Sequence, residues 1–168
     1  MKGLLAASQA IDWINRKVGQ SIGWLILLVT LISAGNALSR KILNLSSNGL
    51  LEIQWYLFGA VFLLGAGYTL LTNSHVRIDV LASRFGTRIQ AWIDLLGYSL
   101  FTMPLVGLMV WYGWDFAYQS FLINEYSADQ GGLLRWPAKA LISTGFALLG
   151  LQVTSEMIKK INQLRSTP

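Results

Sequence analysis

The chain has 168 residues, of which 54% are hydrophobic and only 12% are charged. Soluble domains carry about 25% charged residues, so this composition is that of a membrane protein. A net charge of +5 would suggest nucleic acid as a partner of a soluble protein, but here the Lys and Arg residues stand in short groups between apolar runs. That arrangement marks them as topology signals and argues against a nucleic-acid-binding face. The absence of cysteine excludes disulfides and thiolate metal sites.

The chain divides into a leader and four apolar segments. Residues 1–17 mix apolar and charged side chains, which predicts either a short amphipathic helix on the membrane surface or a solvated leader. Crossing a bilayer core takes about 20 apolar residues. Four segments have or approach that length: 18–39, 53–72, 92–114 and 138–157. The predicted fold is therefore all-α, with four transmembrane helices in one membrane domain over residues 1–168.

Three local features qualify this prediction. Pro104 lies inside the third segment and has no amide hydrogen to donate to Leu100, so a kink is expected there. Residues 73–94 combine charges with apolar residues at helical spacing, which predicts an interfacial segment between the second and third helices. Six aromatic residues between Trp111 and Phe121 are typical of an aromatic belt at a membrane face.

The second segment carries a stripe of residues at intervals of three or four. The stripe has small residues inside, which let another helix approach closely in lipid. The sequence does not decide whether this stripe packs against the chain's own helices or against a second protein. Glu52 begins the stripe and has two possible roles, which the sequence does not separate. It either contacts a partner protein or a lipid headgroup, or it only stabilises the start of the helix. This face of the helix carries Glu52, Trp55, Gly59, Phe62, Ala66, Leu70 and Asn73, and the first five form the stripe considered for contact with a partner.

The distribution of Lys and Arg predicts the orientation. With four spans, both termini and the second loop lie on one side of the membrane and carry nine basic residues, against four on the other side. The positive-inside rule therefore predicts that both termini are cytoplasmic. Arg40 and Lys41 lie on the predicted outer side against this bias, where they would extend to lipid headgroups or meet acidic groups of a partner.

Several kinds of chemistry find no support in the sequence. His75 is the single histidine, so a haem held by two histidines is excluded, and it has no neighbours at zinc-ligand spacing. Arg77 and Asp79 are expected to pair locally or to be solvated, with a partner or lipid contact as the alternative. The spans are nearly free of charge, which argues against a self-contained transporter, a membrane enzyme or redox anchor, and a water-filled channel. We expect no cofactor in this chain.

Short motifs in a consistent order resemble a known family. They are Glu52-x-Gln54-Trp55 at the start of the second span, His75-Val76-Arg77-Ile78-Asp79-Val80 after it, Glu125-x-Ser127, Gly131-Gly132-Leu133, Trp136-Pro137-x-Lys139, and Gly145-Phe146-Ala147-Leu148-Leu149-x-Leu151-Gln152. Over about residues 15–155 the chain is similar to the DctQ-like small permease subunit of TRAP transporters, the tripartite ATP-independent periplasmic transporters.

This resemblance implies a bacterial inner-membrane complex and no enzymatic activity. In such a complex a periplasmic binding protein delivers an organic acid to a large permease subunit, which couples uptake to sodium. The small subunit is a scaffold, and the sodium and substrate sites belong to the large subunit, so no catalytic, cofactor or metal residue is assigned here. The candidates for contact with the large subunit or with phospholipid are Glu52, Trp55, Gly59, Phe62, Ala66, Arg40, Lys41, Arg77, Asp79 and Lys139.

Overall fold

Four helices make up most of the protein. A computed structural model describes residues 2–44, 47–74 and 85–166. The helices are α1 (Lys2–Ile42), α2 (Asn48–Leu71), α3 (Thr87–Leu122) and α4 (Trp136–Ser166). Each helix is long and apolar enough to cross a membrane, which confirms the predicted all-α fold with four transmembrane helices. Within the described ranges, β-structure is limited to one isolated antiparallel bridge between Tyr126 and Leu134.

Helix α1 is much longer than a bilayer core requires. Its 41 residues extend about 60 Å at 1.5 Å per residue, roughly twice the thickness of the hydrocarbon core. The leader, residues 1–17, and the first predicted span, residues 18–39, are therefore not separate elements, because the helix is continuous from Lys2 to Ile42. The early turns belong to the bundle, since Ser8 and Asn15 are both buried.

Helix α3 contains a π-helical turn at Tyr98–Thr102, directly before Pro104. The amide of Met103 donates to the carbonyl of Tyr98, five residues back. Because proline cannot supply the next hydrogen bond of a regular helix, the turn before it is the place where α geometry is interrupted. The irregularity expected at Pro104 thus takes the form of a wider turn within a helix that goes on to Leu122.

The first and last residues of α3 test two further predictions, the aromatic belt and the interfacial segment. The helix extends past residue 114, so the aromatic residues from Trp111 to Phe121 lie on α3 itself. At its beginning, Thr87 starts the helix, and residues 87–94 of the predicted interfacial segment form its first turns. Residues 75–84 of that segment lie outside the described residues.

Helix α4 is the centre of the bundle and contacts each of the other three helices. Small residues allow the backbones to approach closely, as is usual between helices in lipid. A Cβ atom added at Gly145 of α4 would lie 2.7 Å from the Cβ of Leu63 on α2. On the other side, a Cβ added at Gly113 of α3 would lie 3.2 Å from the hydroxyl of Ser143, which donates a 2.7 Å hydrogen bond to the carbonyl of Val110.

Candidate functional site: a loop held by a carboxylate at one end of the bundle

The loop of residues 123–135, between α3 and α4, is attached to the first turns of α2 by a carboxylate. Glu52 is 5% exposed. Its carboxylate accepts a 2.7 Å hydrogen bond from the backbone amide of Leu133 and a second hydrogen bond from the hydroxyl of Ser127. A carboxylate that accepts a backbone and a hydroxyl hydrogen bond makes charge-assisted bonds, which are stronger than neutral ones. Glu52 therefore fixes both sides of the loop.

The loop is itself a small hairpin. The amide of Ser127 donates to the carbonyl of Leu133 at 3.0 Å, and the amide of Arg135 donates to the carbonyl of Glu125 at 2.9 Å. At the tip, Gly131 has a φ of 74°, a backbone conformation that costs glycine nothing and most other residues about 1 kcal/mol or more. The neighbouring Gly132 has its amide bonded to the carbonyl of Asp129 at 2.9 Å.

Other residues of α2 hold the same hairpin. The amide group of Asn48 donates to the carbonyl of Gln130 at 3.0 Å, and the hydroxyl of Tyr56 donates to the carbonyl of Leu134 at 3.2 Å. Gly49 lies so close that an added Cβ would be 2.9 Å from the carbonyl oxygen of Gly131. The first three turns of α2 thus contact the hairpin along its length.

An ion pair attaches the hairpin to α4. The ammonium group of Lys139 donates to the carboxylate of Glu125 and lies 3.9 Å from the centre of the Phe116 ring. This hydrogen bond holds the pKa of the Glu125 carboxyl below its ordinary value of 4.5. Next to the pair, the rings of Phe121 and Trp136 meet edge to face with 5.5 Å between their centres. Charge and aromatic contacts therefore join the ends of α3 and α4 at this loop.

The structure separates Glu52 from the rest of the predicted stripe. Glu52 is directed into the chain, whereas Trp55 is 68% and Phe62 79% exposed. Gly59 lies between them, and an added Cβ there would meet nothing within 4 Å. Ala66 is half-buried. The middle of the stripe is thus open within this chain, and its contact with a second protein stays a prediction.

The remaining predicted contact residues have different surroundings. Arg40 and Lys41 are exposed in the last turn of α1, at the same end of the bundle as the hairpin. Lys139 is engaged by Glu125, as described above. Arg77 and Asp79 lie outside the described residues.

At the opposite end of the bundle, a polar network joins α1 to α4, and sequence reasoning missed it. Asp12 forms an ion pair with Lys159 at 2.8 Å and accepts hydrogen bonds from Ser155 at 2.7 Å and from Gln152 at 2.9 Å. Ser8, one turn before Asp12, lies 2.7 Å from the hydroxyl of Ser155. These residues recur at helical spacing on both helices, which is the sequence signal of the network. A lysine such as Lys159 near the end of a span is equally typical of a topology signal, so the sequence does not single out its pairing with Asp12.

A second ion pair at that end joins α3 to α4. Lys160 lies 2.7 Å from the carboxylate of Asp94. In the described part of the chain, no group of three or more His, Cys, Asp or Glu residues is placed to hold a metal ion. Four acidic residues join separate parts of the bundle: Glu52 and Glu125 at one end, and Asp12 and Asp94 at the other.

The chain has four long apolar helices, with the hairpin bound to α2 at one end and ion pairs between helices at the other, and is a multi-pass membrane protein. The family model described as tripartite ATP-independent periplasmic transporters, DctQ component, matches residues 26–163. The match covers most of the chain, and the chain belongs to this family. Comparisons with curated proteins and with solved structures gave no match.

The motifs quoted from the sequence can now be located in the structure. Glu52, Ser127, Leu133 and Lys139 come from four separate motifs, and the structure brings all four to the hairpin. The family is a transporter component, so the chain is the small subunit of a TRAP transporter.

Proposed function

We propose that this subunit is a scaffold for the large permease subunit in the sodium-coupled uptake of an organic acid that a periplasmic binding protein delivers. The sodium and substrate sites then belong to the large subunit, and this chain holds no cofactor of its own. The complex lies in a bacterial inner membrane, with both termini of this chain in the cytoplasm. Family membership supports the complex, and the distribution of basic residues supports the orientation.

One observation carries the scaffold role: the open face of α2. Trp55 and Phe62 are exposed on either side of Gly59, whose position leaves room for another helix. Large apolar side chains around a small residue give both contact area and close approach, which drive helix association in lipid. The polar residue of the same stripe, Glu52, is used inside the chain, so the surface that remains is an apolar one suited to a lipid-buried partner.

Reconstitution tests this proposal. Purified chain in liposomes with a sodium gradient should take up no organic acid, whereas liposomes that also contain the large subunit, with the binding protein added, should take it up. Replacing sodium with potassium should abolish that uptake. Transport by the isolated chain, or full uptake without it, would contradict the scaffold role.

A further inference from the structure

The π-helical turn at Tyr98–Thr102 divides α3 into a first part, Thr87–Gly97, and a second part, Met103–Leu122. A regular helix rotates by about 100° per residue, and a π turn contains one residue more than a regular turn. The first part of α3 is therefore rotated by about 100° about the helix axis, relative to its position in a regular helix with the same second part.

This rotation decides which side of the first part faces α4. In the structure Asp94 faces α4 and pairs with Lys160 at 2.7 Å, and in the second part Val106 is buried. In a regular helix, residues on the same side as Val106 would precede it by whole numbers of turns. Those residues are Arg88, Trp92 and Ser99, which precede it by about 5, 4 and 2 turns at 3.6 residues per turn. Asp94 would then be turned away from α4.

The structure leaves space for these three side chains. Arg88, Trp92 and Ser99 line a groove of about 520 Å³ between α3 and α4. Met157 and Ile161 line the groove from α4. Trp92 is 54% exposed, so this side of α3 is not packed against another helix within the described ranges. A rotation of the first part by about 100° would move the three side chains towards α4 and fill the groove.

Backbone hydrogen bonding does not strongly favour either geometry. In the π turn, the amide of Met103 donates to Tyr98, so within the helix the carbonyl of Ser99 loses its regular donor, and the next residue is Pro104. In a regular helix the carbonyl of Leu100 would lose its donor, because Pro104 has no amide hydrogen. Each geometry leaves at least one carbonyl unpaired, so side-chain contacts decide between the two.

From these observations we propose that α3 has two registers and that the ion pair of Asp94 and Lys160 selects the one seen here. In the second register residues 98–102 form a regular helix, the first part of α3 is rotated, the groove is closed and the ion pair is broken. The change withdraws Trp92 from the surface of the bundle at this end. The inference uses the fold of this chain and does not require the transport complex.

Spin labelling of the purified full chain in nanodiscs tests the two registers. The sequence contains no cysteine, so one introduced cysteine carries one nitroxide. At Trp92→Cys the label should be mobile in the wild-type background. Lys160→Met removes the ion pair and should raise the ratio of immobile to mobile label about fivefold. Pro104→Ala restores the missing amide for a regular helix and should raise this ratio about tenfold, and the two changes together should raise it further.

Two controls separate rotation from general loosening. Ile93 is 47% exposed and points away from α4 in both registers, so a label at Ile93→Cys should stay mobile in every background. Lys159→Met removes the same charge from the neighbouring residue, which pairs with Asp12 of α1, and should leave the label at residue 92 mobile.

Deletion of Leu100 provides a third control. Removing one residue converts the π turn into a regular turn and leaves residue 92 on its present side, so Lys160→Met should no longer immobilise the label there. Circular dichroism verifies that all variants are folded. A label at residue 92 that stays mobile in the combined variant, equal immobilisation at residue 93, or an undiminished effect of Lys160→Met after the deletion would overturn the proposal. None of these results depends on transport, so such a failure would leave the scaffold role untouched.

Discussion

The carboxylate of Glu52 accepts a 2.7 Å hydrogen bond from the backbone amide of Leu133, 81 residues further along the chain. The bond joins the first turns of α2 to a loop that connects two other helices. Since the same carboxylate also accepts from Ser127, removal of this one side chain takes a hydrogen-bond acceptor from both sides of the hairpin. The loop conformation thus depends on a residue of a different helix.

Glu52→Ala should loosen the hairpin at Leu133 without unfolding the bundle. We expect hydrogen exchange of the Leu133 amide to become about tenfold faster, because that amide loses its acceptor. Exchange in the middle of α4 should stay as in wild type. Asp129→Asn removes a negative charge from the same loop and serves as the control. Equal acceleration in the two variants would show that charge in the loop, rather than the Glu52 contact, protects Leu133.

The number and type of elements were predictable from sequence, and the contacts between them were not. Long uncharged runs predict spanning helices because lipid forces backbone groups to bond within each helix. Glu52 was recognised as unusual, yet its partners Ser127 and Leu133 were not, since a single sequence carries no signal for a contact 75 residues away. Helix ends were also missed at α1, because that helix continues well past the length that a bilayer sets.

The ion pair of Glu125 and Lys139 predicts a pH dependence. The pKa of Glu125 lies below its ordinary value because Lys139 donates a hydrogen bond to the carboxylate. Such a group stabilises the fold above its unfolded pKa, and this contribution is lost as the pH falls through the folded pKa. Between about pH 5 and pH 3, the unfolding temperature in detergent should therefore fall more steeply for wild type than for Glu125→Gln. Lys139→Met should flatten the profile in the same way. A steeper profile in either variant would contradict the assignment.

Gly145 should tolerate no side chain. A Cβ there would lie 2.7 Å from the Cβ and 2.8 Å from the carbonyl oxygen of Leu63, and the backbone atom cannot move aside cheaply. Overpacking of this kind costs about 1–3 kcal/mol, so Gly145→Ala should lower the free energy of unfolding by that amount. Gly107→Ala is the control, because its Cβ would meet nothing within 4 Å. There, helix propensity should leave stability unchanged or raise it by up to about 1 kcal/mol.

The open face of α2 predicts the site of contact with the large subunit. Gly59→Leu should lower co-purification with that subunit about ten- to a hundredfold, because the added bulk separates two closely packed backbones. Within this chain the position is open, so membrane insertion and stability of the isolated chain should be unchanged. Gly107→Leu is the matched control on α3. Loss of the complex in Gly107→Leu alone would place the interface on the other helix.

Reporter fusions test the orientation. With cytoplasmic termini, fusions after residues 45, 85, 125 and 165 should report outside, inside, outside and inside in turn, because nine of the 13 basic residues lie on the inner side. An outside signal at residue 165 would contradict the predicted topology.

The central place of α4 has a consequence for how the protein is made. Helices α1 and α2 contact each other directly and can pair as soon as both have left the ribosome. Helix α3 packs chiefly on α4 and has no comparable contact with α1 or α2 in the described ranges. It therefore gains its main packing partner only when the last segment is synthesised. The Lys139–Glu125, Lys159–Asp12 and Lys160–Asp94 ion pairs all take their lysine from α4. A nascent chain that is cut short before residue 136 therefore lacks all three.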